Sequence, residues 1–91
     1  MIIHKYVIEP TSRYSLSLPF GSEIISVQNQ NEKLCAWVRI DDPRELQRRV
    51  HNLRIVMTGD EETSHVALLR FLGTVQMAKG ALVLHIFEEM F

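Results

Sequence analysis

Seven of the ten cationic side chains are arginine, and five of them lie between positions 39 and 54: Arg39, Arg44, Arg48, Arg49 and Arg54. Within that stretch only Asp41, Asp42 and Glu45 carry the opposite charge. A guanidinium presents a planar fork of N–H donors that fits carboxylate and phosphate oxygens. Trp37 lies just upstream, and an aromatic face near guanidinium groups suits a phosphate-bearing base. Arg44, Arg48, Arg49, Arg54 and Trp37 are therefore the candidate ligand-binding residues, and a small anionic or nucleotide ligand is what they would take. The competing reading is a solvated charged segment whose ion pairs each contribute little.

Other reactive side chains point less clearly to chemistry. Of the four histidines, His4, His51, His65 and His85, none has the short paired spacing of a zinc site. His65 follows Asp60, Glu61 and Glu62, where a solvated acidic loop is preferred to a metal site. His85 falls opposite Thr74 in the register derived below for its hairpin. A histidine satisfied by a neighbouring hydroxyl is preferred there, since a nucleophile, a base and an orienting group are not all in sight. Cys35, between Leu34 and Ala36, reads as a buried thiol. As the single cysteine it excludes an internal disulfide and a multi-cysteine zinc site, which favours a reducing compartment. Gly21, Gly59, Gly73 and Gly80 are isolated, so no phosphate-cradling loop is present. No catalytic residue, metal ligand or cofactor is assigned, and the expectation is a protein that is not an enzyme.

The elements that must position these residues are strands. Apolar runs of five to nine residues alternate with Gly, Pro, Asn and Asp clusters. The runs are Ile2 to Ile8, Tyr14 to Leu18, Ile24 to Gln28, Leu34 to Ile40, Val50 to Met57, Leu69 to Met77 and Ala81 to Glu88. Pro10 ends the first, and Pro19-Phe20-Gly21 supplies a turn after the second. Pairing Val27 with Leu34 and Ile25 with Ala36 predicts a hairpin around Gln30-Asn31. Pairing Met77 with Leu82, Val75 with Leu84 and Gly73 with Ile86 predicts another around Lys79-Gly80, with Leu72 opposite Phe87. Gly73 inside a strand marks a bulge or the close approach of another chain segment. Asp42-Pro43-Arg44-Glu45 carries the capping signals of a short helical turn.

With 91 residues, 46% of them hydrophobic and 23% charged, the chain is long enough for one packed domain spanning 1–91 and is not of disordered composition. The fold class is all-β, a small antiparallel sandwich or flattened barrel of about seven strands with one short helical turn. Leu34, Val38, Leu53, Ile55, Val75 and Leu84 are expected in its core. Several strands are apolar on both faces, which predicts a homo-oligomer. No apolar run is long enough for a membrane-spanning helix, and Met1 to Tyr6 lacks the layout of a signal peptide. A net charge of −1 argues against bulk nucleic-acid binding.

Four segments together resemble a family of short uncharacterised phage and prophage proteins. They are Ile3-His4-Lys5-Tyr6, Glu23 to Gln28 ahead of Trp37, Arg54 to Gly59, and Phe71-Leu72-Gly73-Thr74-Val75-Gln76 followed by Leu84-His85-Ile86-Phe87-Glu88. The Gly-Thr-Val-Gln piece and the His-x-Phe-Glu ending are its most specific parts. The resemblance implies a compact β domain of phage origin acting in the host cytoplasm, with no activity to carry over. Where the family pattern runs Gly-Thr-Gly-His, this chain reads Met57-Thr58-Gly59-Asp60, so no role resting on that histidine transfers. The functional expectation is a small non-enzymatic binding protein. It inhibits a host defence protein or sequesters a small anionic or nucleotide signal, the alternative being a structural or assembly module of the phage.

Overall fold

The alternating runs form seven strands: β1 (Ile2–Val7), β2 (Arg13–Pro19), β3 (Glu23–Gln30), β4 (Lys33–Ile40), β5 (Arg48–Met57), β6 (Leu69–Met77) and β7 (Leu82–Glu89). The computed structural model describes residues 1–61 and 68–90. One sheet has the order β1-β4-β3 and the other β2-β5-β7-β6, all pairs antiparallel. They make a sandwich that does not close into a barrel. Both sheets fill one core, Ile24, Val27, Leu34 and Val38 from the first and Leu18, Leu53, Ile55, Leu84 and Ile86 from the second. All six residues expected in the core are buried, as period-two alternation requires when only one face of a strand meets the other sheet.

The β6–β7 register is the expected one from Gly73↔Ile86 to Met77↔Leu82. A bulge between Phe71 and Gly73 then shifts it, so Phe87 faces Phe71 and not Leu72, with ring centroids 5.5 Å apart. The β3–β4 hairpin differs more. Val27 pairs with Ala36, Gln30 with Lys33, and the turn is Asn31-Glu32, two residues at positive φ (54° and 61°). A bulge between Ile24 and Ser26 adds one residue to β3. Ile24 and Val27, three apart, therefore both reach the core, and Ile25 is left 47% exposed. The capping signals at Asp42–Glu45 produce a turn in which Asp42 accepts from Arg44 N–H, and no helix. Leu46 is 90% exposed, so no apolar stripe was there to hold one. Among the described residues the one short helical turn is a 3₁₀ turn at Ala78–Gly80.

Two strands of different sheets come together along one side. A Cβ placed on Gly73 of β6 would lie 2.8 Å from Val27 Cγ2 of β3, so the missing side chain is what lets β3 come this close. Arg70 Nη2 donates to Ile24 O (2.8 Å) and Asn29 Nδ2 to Gln76 O (2.8 Å), tying β6 and β3 near both ends of this seam. Gly73 thus marks both a bulge and a close approach, by a strand of its own chain.

Candidate functional site

At one end of the sandwich the interior phase of three strands turns polar. On β5 the alternation that buries Leu53 and Ile55 places His51 and Arg49 on the same side. On β7, Glu88 follows Leu84 and Ile86 in phase, and Arg70 of β6 sits directly across from it. His51 and Glu88 are each 6% exposed. His51 Nδ1 lies 2.5 Å from Glu88 Oε2, and Arg70 Nη2 lies 3.0 Å from Glu88 Oε1. Burial pushes the Glu88 carboxyl up, but the hydrogen bonds and charges of His51 and Arg70 outweigh it and hold the group below its ordinary value. An ionised carboxylate only accepts, so the hydrogen of that contact belongs to His51 Nδ1. The ring is thereby oriented with Nε2 on its far side, where no described residue bonds it.

This network forms the floor of a cleft of about 350 Å³, at the small end of ligand sites, roughly 300–1,000 Å³. One wall is the β2–β3 turn, Phe20-Gly21-Ser22. Gly21 has φ +88°, which this turn needs and a side chain would resist, and Ser22 N–H closes it onto Pro19 O at 3.1 Å. Phe20 N–H donates to Gln47 O (2.8 Å), which fixes the turn against the approach to β5. Across β3 and β4, Glu23 and Arg39 pair at 3.4 Å, with Asp41 3.1 Å from Arg39 Nε. That short contact is poorly directed, and Arg39 Nε makes no hydrogen bond. The Ser22 hydroxyl is buried and also without a partner. Arg49 lines the same cleft with no carboxylate partner among the described residues.

Of the five residues singled out from the sequence, only Arg49 lies in this cleft. Arg48 is on the opposite side of β5 and donates to Ser17 O (2.7 Å). Arg54 shares that side, is 2% exposed and binds Glu89 Oε1 at 2.7 Å. Arg44 projects from the turn, its side chain 91% exposed beside Asp42. Trp37 is on β4 of the other sheet, donating Nε1–H to Gln28. Alternation along β5 separates neighbours in sequence onto opposite faces, so the cluster is not one site. The structure instead brings in Phe20, Ser22, His51, Arg70 and Glu88. Two of these carried a legible signal: His51 and Glu88 hold a histidine and a carboxylate in the apolar phase of strands that are otherwise core.

His85 is bonded on both nitrogens, to Thr74 Oγ1 (3.0 Å) as expected from the register and to Thr58 Oγ1 (2.7 Å). Cys35 is buried and free. His65 and the end of the acidic loop lie outside the described residues. Among the described residues no group of three or more His, Cys, Asp or Glu could hold a metal, and no helix is long and apolar enough to cross a membrane.

What the geometry defines is a small two-sheet all-β domain with an arginine-lined cleft at one end. The chain belongs to the family Domain of unknown function (DUF7352), which matches residues 1–90. No curated protein and no solved structure matches it.

Proposed function

We propose that this domain is a non-enzymatic binding module whose cleft takes a small anionic ligand. The observation that carries the reading is the Arg49 guanidinium, which lines the cleft with no carboxylate partner among the described residues. Cationic donors around a cavity are what an anion needs to leave water. Binding is favoured over catalysis because the Ser22 hydroxyl is bonded to no base, His51 included. Set in a phage-infected cell, as the sequence resemblance implies, such a module acts in the host cytoplasm by sequestering an anionic signal. The test is calorimetric titration of the full chain with inorganic phosphate and with acetate. Saturable binding that Arg49→Gln weakens roughly tenfold supports the reading. Heats indistinguishable from dilution, or binding indifferent to Arg49→Gln, overturn it.

A protein-docking reading has one observation in its favour. β1 is an edge strand with Ile3 44% and Val7 51% exposed, an open ladder that another chain could extend. A second copy, a host protein or a phage assembly partner would each use it. Sedimentation across a concentration series reads the first, and mass spectrometry of purified virions the last.

A further inference from the structure

If the cleft takes small anions, as proposed, its charges and its rim also specify which kind. The lining guanidinium groups are not equivalent. Arg39 is shared by Glu23 (3.4 Å) and Asp41 (3.1 Å), and Arg70 is shared by Glu88 (3.0 Å) and Ile24 O (2.8 Å). Arg49 is the lining guanidinium left without a carboxylate among the described residues. The cleft therefore offers one guanidinium free of an ion pair, in surroundings where Arg39 and Arg70 face the three carboxylates of Glu23, Asp41 and Glu88. A doubly charged group would set its second charge against Glu23 and Glu88, which line the same space.

The rim adds shape. Phe20 lines the cleft with 57% of its surface exposed, on a backbone pinned by its bond to Gln47 O. Met90, 44% exposed, lines it as well. An exposed aromatic face next to a guanidinium accepts a flat ring by stacking, and a methionine adapts to its edge.

We propose that the cleft binds a planar ring carrying one delocalised negative charge, with the charge on Arg49 and the ring on Phe20. An aromatic carboxylate and a cyclic phosphodiester nucleotide share this chemistry.

The test is equilibrium titration of the full chain at about pH 7.5 with five probes: benzoate, cyclohexanecarboxylate, 3′,5′-cyclic AMP, 5′-AMP and inorganic phosphate. At that pH 5′-AMP is mostly a dianion, its second phosphate pKa being about 6. Benzoate should bind roughly tenfold tighter than cyclohexanecarboxylate, or cyclic AMP roughly tenfold tighter than 5′-AMP. The stronger pair identifies carboxylate or phosphodiester as the source. Phe20→Ala should abolish the preference for benzoate over cyclohexanecarboxylate and weaken both adenine nucleotides alike, and Arg49→Gln should weaken all binding. Both side chains are exposed, so neither change removes core packing. Arg49-dependent binding with no preference for the planar monoanions overturns this inference and leaves the anion-binding reading standing. The absence of any Arg49-dependent binding overturns both.

Discussion

The two ends of the sandwich handle their polar groups differently. At the hairpin end, the turn Asn31-Glu32 and the turn Ala78–Gly80 lie side by side. Glu32 Oε2 accepts Ala78 N–H (2.7 Å), Asn29 Oδ1 accepts Glu32 N–H (2.9 Å), and Asn29 Nδ2 donates to Gln76 O (2.8 Å). These side chains are absorbed by the backbone of turns whose Asn31, Glu32, Ala78 and Lys79 all hold positive φ. At the cleft end the partners are charges on different strands, and a guanidinium and a hydroxyl are left over. The first arrangement closes the fold. The second leaves a cavity whose walls are tied by hydrogen bonds and ion pairs between strands.

The largest way to break this contrast is to remove the carboxylate at the centre of the cleft end. Glu88→Ala leaves His51 buried and Arg70 with one partner fewer, at a cost of about 3 kcal/mol in urea unfolding near neutral pH. Glu88 also gives a pH signature. Its folded carboxyl sits below the ordinary 4.5, so on acidification the unfolded chain takes up the proton first. The contribution is complete above about pH 4.5 and is lost as pH falls through the lower folded value. The gap between wild type and Glu88→Ala should narrow as pH falls below about 4.5. A gap that stays constant would mean that Glu88 acts by packing and not by charge.

The seam joins the two ends and should respond to volume rather than charge. Gly73→Ala puts a methyl 2.8 Å from Val27 Cγ2 and is expected to cost about 2 kcal/mol. Because the clash is with one side chain, Val27→Ala in the same chain should recover at least half of that cost. Additive effects in the double-mutant cycle would place the strain elsewhere.

How far the sequence could be read divides along similar lines. Alternation made the β6–β7 pairing and the buried set legible, since a one-residue slip would have turned Val75 and Leu84 to solvent. It failed at the β3–β4 turn, which is Asn31-Glu32 and not Gln30-Asn31, and where a bulge adds a residue, at Ile24–Ser26 and at Phe71–Gly73. A bulge preserves the apolar composition of a run and changes only its phase, so composition carries no trace of it. The family of unknown function was legible too. Of the arginine cluster only Arg49 reached the site, because counting arginines along the chain ignores that Arg48 and Arg49 point to opposite faces; the signal that His51 and Glu88 carried lay in strand phase instead. Ser22 and Phe20 enter through a turn whose position depends on the sheets already being assembled.

The hairpin end should answer more weakly than the cleft end. Glu32→Ala removes the acceptor of Ala78 N–H, yet that group is exposed enough for water to replace it. The expected loss is about 1 kcal/mol by urea unfolding. A loss as large as that of Glu88→Ala would make the two ends equivalent in energy and undo the contrast.

The smallest effect separates the two ends by function. Arg49 and Arg48 are neighbours, both exposed, on opposite faces of one strand, and only Arg49 lines the cleft. Without ligand, Arg49→Gln should change stability by less than about 0.5 kcal/mol, because no carboxylate among the described residues loses a partner. Arg48→Gln gives up its bond to Ser17 O and should cost slightly more. Adding an anion that binds the cleft reverses the order. A ligand at 100 times its Kd stabilises a folded protein by about 2.7 kcal/mol, and that gain should persist in Arg48→Gln and largely vanish in Arg49→Gln. Thermal unfolding of the two variants with and without the anion measures this crossing. Equal ligand-induced shifts in both would mean that Arg49 does not hold the anion, and the hairpin and cleft ends would then differ in chemistry but not in purpose.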